Sequence, residues 1–405
     1  MQARAGVGHS EATNSRQAGA EAARRAVESG NIDRANLALL FSTAKHDAVQ
    51  LRDGVRDVIG PRAKLVGGHA VGIITHDFLA YDGCEVGLAL IQSDAIRVDS
   101  FIETGLPNNE LEVGSRLGRQ IGAARSASSD GEQSLLLFYD SVHQTDGQPR
   151  LNRATPLLQG ISQYLNPWPR AAGLGMIGSM QLSPSFQWFD DRVEQQAAIA
   201  LVLSRGVRMD TVIMHGCRPA SVYHTITKTD GPVVLEIDGR PALDVIAALL
   251  GPDTGLSWDD YAFFVTLGVN KGDRFGDFRE QDYANRLCIG IDAVRQGLVM
   301  FETDLVPGMQ VQLMRRSMDL NYIGERTREL LALAAGRRAI VAFYIDCAGR
   351  AAAYCGMDEE EAAAVQKALP ADIPLLGVYS GVEIAKVGGS IQALDWTGVL
   401  CLFSV

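Results

Sequence analysis

The chain has 405 residues, 47% of them hydrophobic, and carries a formal net charge of -11 from 48 acidic and 37 basic residues. This length suits two domains or one large compound fold. Because no lysine- or arginine-rich block could follow a phosphate backbone, nucleic acid is not an expected partner. No apolar run reaches the roughly 18 residues of a membrane helix, and the N-terminus lacks the apolar core of a secretory signal, so we expect a cytoplasmic protein without membrane insertion.

Short apolar runs alternate with helix-like stretches along the chain, which predicts an α/β fold. Residues 1–15 are small and polar without periodicity, and we expect them to fray. Helices are predicted at 16–29, 45–58, 108–126, 152–164, 241–251, 321–336 and 358–368. Strands are predicted at 35–43, 65–75, 85–93, 134–140, 196–204, 209–217, 221–228, 233–237, 306–316, 338–346, 374–380 and 396–404.

The two ends of the chain resemble each other. LVGGHAVGII at 65–74 and EVGLALIQS at 85–93 match LLGVYSGVEI at 375–384 and TGVLCLFSV at 397–405, and an apolar strand and a helix precede both pairs. Chance similarity between aliphatic strands is the alternative to duplication. The fold prediction is α/β, with two related mixed halves packed into one compound fold and a pocket at their interface.

The cysteine and histidine spacings favour no metal and no cofactor. Six cysteines are widely spaced without a CxxC pair, and the seven histidines show no HExxH pattern. The glycine-rich GGHAVG at 67–72 fits neither the dinucleotide fingerprint nor the phosphate-binding loop. His215 and Cys217 would face the same way in a strand, but no third orienting group can be named, and packing is the more common explanation.

The segment AIVAFYIDCAGR at 339–350 is a buried-type strand that ends in a small turn. Arg350 would suit a bidentate carboxylate contact, and a guanidinium beside Cys347 would lower the pKa of that thiol. The alternative is that Cys347 is a small core residue and Arg350 a surface group.

A second segment, PLLGVYSGVEIAKVGGS at 374–390, brings a phenol, a hydroxyl and a carboxylate to one glycine corner: Tyr379, Ser380 and Glu383. Such a set can orient a polar ligand. The structural alternative is a turn with a packed tyrosine ring and a solvated glutamate.

Together these segments resemble the FIST family of sensory domains, which occur in bacterial signalling proteins. The match covers most of the chain and implies an N-terminal FIST part at 16–240 and a C-terminal part at 241–405, after a frayed segment at 1–15. The family's C-terminal pattern is met by Cys347, Gly349, Arg350, Gly377, Tyr379, Ser380, Glu383 and Ile384. The family's usual N-terminal Gly-Cys-Ser-Thr-Ala-Gly-Glu-Ile is replaced by GGHAVGII at 67–74.

The resemblance implies a small-molecule sensor, with an amino-acid-like ligand suggested, that acts through a signalling partner protein. Its expected ligand-binding residues are Cys347, Gly349, Arg350, Tyr379, Ser380, Glu383, Gly68 and His69. Arg350 would pair a ligand carboxylate and Glu383 would meet an amine. Two alternatives stay open: a thiol-dependent enzyme that uses Cys347, and a scaffold protein with a vestigial pocket.

Overall fold

A computed structural model describes residues 3–126, 132–251, 258 and 265–405. The first unit of the fold alternates strands and helices and ends in a hairpin and a last strand. Its elements are β1 (Arg4–Ser10), α1 (Ser15–Gly30), β2 (Leu37–Ser42), α2 (Ala48–Ile59), β3 (Lys64–His69), β4 (Gly72–Thr75), β5 (Leu79–Tyr81) and β6 (Val86–Gln92). The prediction that residues 1–15 fray is wrong for Arg4–Ser10, because β1 pairs antiparallel with β6 along its whole length.

Local chemistry accounts for the two helices of this unit. The side chain of Asn14 caps α1 by accepting from the Gln17 amide, and Asp47 caps α2 by accepting from the Gln50 amide. The helices pack closely because Gly19 and Gly54 lie between them. A Cβ on Gly19 would lie 2.2 Å from the main-chain oxygen of Leu51.

A second unit repeats the order of the first, with an added hairpin, β9–β10, after its first central strand. Its elements are β7 (Arg97–Thr104), α3 (Glu110–Ser126), β8 (Ser134–Asp140), β9 (Val142–Thr145), β10 (Gln148–Leu151), α4 (Ala154–Ser162), β11 (Arg170–Met176), β12 (Gln187–Phe189), β13 (Arg192–Glu194) and β14 (Ala197–Ser204).

A third unit begins with β15 (Arg208–Met214) and is then interrupted by an inserted barrel. The insertion contains β16 (Cys217–Pro219), β17 (His224–Asp230), β18 (Val233–Ile237), β19 (Arg240–Pro241), α5 (Ala242–Leu250), β20 (Thr266–Asn270), β21 (Tyr283–Asp292), β22 (Gly297–Met300) and β23 (Gln310–Arg316). Six of these strands close into a barrel in the order β20-β21-β22-β18-β17-β23, because β23 pairs back onto β20.

The third unit then resumes in the same order as the other two. Its remaining elements are α6 (Asn321–Leu333), β24 (Ala339–Cys347), α7 (Ala352–Cys355), α8 (Glu361–Ala368), β25 (Leu375–Ser380), β26 (Val382–Val387), β27 (Ser390–Leu394) and β28 (Gly398–Ser404). The α/β fold is confirmed, and the matching chain ends correspond to the first and third units. The second unit shares their topology.

Each unit contributes four strands to one six-stranded sheet and the two strands of its hairpin to another unit's sheet. The sheets run β1-β6-β2-β3-β12-β13, β7-β14-β8-β11-β26-β27 and β15-β28-β24-β25-β4-β5. The last two strands of every sheet therefore come from a different unit, and the exchange is cyclic. The predicted strand 65–75 is two strands, because the chain leaves one sheet after His69 and enters another at Gly72.

The three sheets enclose a common core and carry their helices outside. Phe41, Phe138 and Phe343 come from the three units and contact one another in this core, with ring centroids 5.6 to 6.5 Å apart. Separate apolar layers join each sheet to its own helices. No helix in the described part of the chain is long and apolar enough to cross a bilayer.

Candidate functional site

A cavity of about 350 Å³ lies where the second unit, the third unit and the inserted barrel meet. Its size falls within the range of small-molecule sites. The wall is largely apolar and is formed by Ser141, Val142, Leu151, Ile177, Met180, Leu182, Leu287, Ile289, Phe301, Cys347, Ala348, Gly349, Tyr354, Ser380, Gly381, Asp395 and Trp396. Three parts of the chain that are distant in sequence therefore share one internal surface.

Cys347 ends β24 and lines the cavity with only 8% of its surface exposed. Burial raises the pKa of the Cys347 thiol well above its ordinary value, and the nearby Glu383 carboxyl acts in the same direction. The expectation that Arg350 lowers this pKa is wrong, since desolvation dominates. The thiol is therefore a neutral, weakly polar part of the wall rather than an activated nucleophile.

Ser380 also lines the cavity, and Glu383 lies directly behind it. Parallel pairing of β24 with β25 sets Ser380 opposite Cys347. The Ser380 hydroxyl oxygen lies 2.9 Å from Glu383 Oε1 and 3.0 Å from the main-chain oxygen of Asp346. Glu383 is fully buried, accepts from the Thr397 amide at 3.3 Å, and has a pKa raised well above its ordinary value by desolvation. Glu383 thus braces Ser380 from outside the cavity wall.

Asp395 is the carboxyl group in the cavity wall. It is 4% exposed, and its Oδ2 accepts from the Leu287 amide of the barrel at 3.0 Å. Its Oδ1 is buried and has no hydrogen-bond partner among the described residues. Burial raises the pKa of Asp395 to about 7, opposed by the attraction of Arg286 and assisted by Glu302. A buried carboxyl with an unused oxygen is unusual, because such groups are normally satisfied.

Trp396 separates this cavity from a second one on its other side. Its backbone lies in the left-handed region at φ 56°, which non-glycine residues rarely adopt. Arg316 lies over the indole ring at 5.3 Å from its centroid, and Arg350 donates to the Trp396 main-chain oxygen at 2.8 Å. One fully buried guanidinium, that of Arg350, and one partly buried guanidinium, that of Arg316, therefore hold this wall in place.

Arg350 does not line the cavity, although it is three residues from Cys347. Its side chain is fully buried in an ion pair with Glu361 and donates to Tyr322 Oη at 2.9 Å and to the main-chain oxygen of His215 at 3.1 Å. Asp346 Oδ1 lies 3.4 Å from Nε without hydrogen-bond geometry. Arg350 is therefore not placed to pair a ligand carboxylate in this cavity, because both of its terminal nitrogens already donate to protein groups.

Tyr379 alternates to the opposite face of β25 from the cavity. Its ring is buried against the helices of the third unit, and its hydroxyl donates to Glu360 Oε2 at 2.8 Å. Tyr81 donates to the other oxygen of the same carboxylate at 2.9 Å. Tyr379 thus joins the first unit's exchanged hairpin to the third unit and has a structural contact instead of a ligand.

Gly68 and His69 lie outside the cavity wall. The His69 ring is 2% exposed, contacts Trp188 edge-on at 5.7 Å, and accepts from the Phe186 amide at 3.3 Å. Burial lowers the pKa of His69 to about 4, so the imidazole is neutral. Gly68 is packed against Met176, whose Sδ would lie 2.0 Å from an added Cβ. The structure therefore brings Cys347, Gly349 and Ser380 together, with Glu383 behind them, and separates the other predicted residues.

The His215–Cys217 pair forms a turn rather than a reactive site. The Cys217 amide donates to His215 Nδ1 at 2.9 Å, and burial raises the pKa of Cys217 to about 11. Among the described residues, no group of three or more His, Cys, Asp or Glu side chains could hold a metal ion.

Sequence reasoning missed Asp395, Trp396 and the walls contributed by the barrel and by the loop after β11. The one available signal was LDWTG at 394–398, where an acidic and a large aromatic residue precede a buried strand. Leu287, Ile289 and Phe301 carry no comparable signal, since they read as ordinary apolar strand residues.

The fold and cavity define an α/β protein of three interlocked units with a pocket of ligand size. The chain belongs to the FIST family, since the FIST N domain matches residues 36–240 and the FIST C domain matches residues 242–386. FIST domains are generally regarded as sensory, ligand-binding domains.

Full-length relatives are found among mycobacterial proteins. An uncharacterized protein of Mycobacterium bovis is 25% identical over 413 residues, covering 99% of this chain and 98% of the relative. An uncharacterized protein of Mycobacterium tuberculosis is 25% identical over 414 residues, covering 99% of both chains. The crystal structure of a cyanuric acid hydrolase from A. caulinodans overlaps 50% of this chain and 71% of its own, at 10% identity and a TM-score of 0.29.

Proposed function

We propose that this protein is a sensor that binds a small molecule in the cavity between the second unit, the third unit and the barrel, and that signals through a partner protein. The observation that carries the proposal is the composition of the wall. Val142 comes from the second unit, Cys347 from the third, and Ile289 from the barrel. A ligand that fills the cavity contacts all three parts and stabilises the arrangement that fits it best.

The proposed setting is the cytoplasm. All six cysteines are free thiols in the structure, which fits a reducing compartment. The thiol-dependent enzyme is not favoured, because the Cys347 pKa is raised and the neighbouring Glu383 already accepts from Ser380 and Thr397.

The binding test uses a matched pair of variants on β21. Ile289 lines the cavity and is partly buried, whereas Ile291 is equally partly buried but packs into the barrel core. Ile289→Trp fills the cavity, and Ile291→Trp adds the same volume outside it. A small-molecule library is screened by thermal shift on the wild type, and every hit is repeated on both variants.

At 100 times its dissociation constant, a ligand stabilises the folded state by about 2.7 kcal/mol, which shifts the melting temperature of a large protein by a few degrees. The proposal expects hits that are lost in Ile289→Trp and kept in Ile291→Trp. Hits that bind both variants with unchanged affinity would place the ligand elsewhere and reject this cavity.

A further inference from the structure

The cavity wall has few polar side chains, and most of them already make hydrogen bonds within the protein. The Ser141 hydroxyl donates to the main-chain oxygen of Met176 at 2.6 Å, and the Ser380 hydroxyl contacts Glu383 and Asp346. The Tyr354 hydroxyl is bound to Asp82. Asp395 Oδ1 remains as the buried lining oxygen with no partner among the described residues. The lining residue Asp395 therefore keeps one unused hydrogen-bond acceptor at the cavity wall.

The described wall contains one acid, Asp395, and no matching cation. No Lys, Arg or His is among the described lining residues. Arg286 lies close enough to Asp395 to affect its pKa, but that guanidinium is paired with both oxygens of Asp304 and also donates to the main-chain oxygens of Asn285 and Ala393. Glu302 and Glu383 are further buried carboxyls that lie close enough to Asp395 to interact with it electrostatically, but neither lines the cavity. An anionic ligand group would lie beside Asp395 without a cationic side chain in the described wall.

The remainder of the wall is suited to an apolar body. Leu287, Ile289 and Phe301 of the barrel face Ile177, Met180 and Leu182 of the loop after β11. Burying apolar ligand surface against such walls contributes about 25 cal/mol per Å². The shape and charge of the cavity thus favour an apolar molecule with one hydrogen-bond donor at the end that contacts Asp395.

We propose that the cavity takes an apolar primary amine without a carboxylate, whose nitrogen donates to Asp395 Oδ1. This inference rests on the proposed function and specifies its ligand class. A buried carboxylate with one satisfied and one free oxygen is completed by an ammonium donor, and hydrogen bonds between charged groups are about twice as strong as neutral ones. The amino-acid-like ligand expected from the sequence would have no partner for its carboxylate here, because Arg350 lies outside the cavity wall and pairs with Glu361.

The test is a series of probes with the same phenyl body: 2-phenylethylamine, 2-phenylethanol, 3-phenylpropionate and phenylalanine. Dissociation constants are measured by calorimetry on the full-length wild type. The amine is expected to bind at least tenfold more tightly than the alcohol, and both acids more weakly than the alcohol. This ranking needs no variant, so it stands even where a substitution prevents folding.

Asp395→Asn then removes the charge while keeping an acceptor for the Leu287 amide. Its matched control is Asp346→Asn, because Asp346 is also buried with a raised pKa but lies outside the cavity wall. Asp395→Asn is expected to weaken the amine at least tenfold and to leave the alcohol within about twofold, while Asp346→Asn changes neither.

Tightest binding by 3-phenylpropionate, or equal binding of amine and alcohol with no effect of Asp395→Asn, would overturn the amine inference and leave cavity binding intact. If no probe binds and the library hits bind the Ile289→Trp variant as tightly as the wild type, cavity binding itself is rejected. The two failures are therefore distinguishable.

Discussion

Glu383 and Gln187 occupy the same position in two different units. Each is at the start of an exchanged hairpin, with Glu383 opposite Leu174 and Gln187 opposite Gly68 in the neighbouring sheet. Each side chain also reaches the start of its own unit's last strand: Gln187 contacts Ala197, the first residue of β14, and Glu383 contacts Thr397, just before β28. Gln187 exchanges two hydrogen bonds with the Ala197 backbone, and Glu383 accepts from the Thr397 amide. In the second unit a neutral amide therefore makes the contact that the Glu383 carboxyl, with its raised pKa, makes in the third.

Glu383→Gln should stabilise the protein as pH rises. A carboxyl whose pKa is raised by folding contributes stability that is fully present below its unfolded pKa and is lost as pH rises toward the folded value. The variant removes that loss, so its free energy of unfolding should exceed the wild type's by more than about 1.4 kcal/mol at pH 8 and match it near pH 4. Urea unfolding at both pH values measures this difference.

The reverse substitution, Gln187→Glu, is the control and should make stability fall more steeply with pH than in the wild type. A Glu383→Gln variant that is less stable at both pH values would show that the carboxylate form is required.

Arg350→Ala should prevent stable folding rather than only weaken ligand binding. The buried Glu361 carboxylate then loses one of its two cationic partners and keeps only Arg316. Breaking a buried ion pair in this way costs about 3–5 kcal/mol of stability. The measurement is soluble yield and thermal unfolding. Arg315→Ala, at an exposed neighbouring position, should change stability little.

A natively stable Arg350→Ala protein that has lost ligand binding would contradict this explanation. It would return Arg350 to a direct role in the cavity.

Cys347 should react with iodoacetamide at least tenfold more slowly than Cys84. The raised pKa of Cys347 leaves little thiolate at neutral pH, and its side chain is buried, whereas Cys84 is partly exposed. Timed labelling with peptide mass spectrometry measures both rates in one sample. Faster labelling of Cys347 than of Cys84 would reinstate the activated thiol expected from the sequence.

Deletion of residues 397–405 should abolish soluble protein. β28 lies between β15 and β24, all seven of its residues are buried, and its loss exposes two strand edges and the common core. Soluble expression and size-exclusion chromatography report the result. A monodisperse, folded truncation would show that the sheet closes without β28.

The α/β class and the related ends were predictable because their central strands are mostly apolar and almost wholly buried. The second unit went unnoticed as a repeat for local reasons. Its β11 is interrupted by glycines at 173 and 175, and its hairpin strands β12 and β13 have three residues each. The exchange of hairpins leaves no local trace, because Val71 and Gly72 read as a continuation of β3.

The site was predicted in part because Cys347 and Ser380 end adjacent parallel strands. Arg350 was misplaced because a 3₁₀ turn at Ala348–Arg350 directs it toward Glu361. Asp395 could not be assigned, since its place in the wall depends on the Leu287 amide of an insertion far away in the chain.

The cyclic exchange of hairpins also constrains the order in which the chain can mature. During synthesis, the first sheet stays incomplete until Gln187–Phe189 is made, and the second stays incomplete until Val382–Val387 is made. The β4–β5 hairpin is made early but reaches its partner only when Leu375–Ser380 emerges. Contacts between distant segments slow folding. The nascent chain carries unpaired strand edges until its last tenth is made. A chaperone that shields such edges would be needed for longest at the first unit, whose β4–β5 hairpin is made long before its partner strand β25.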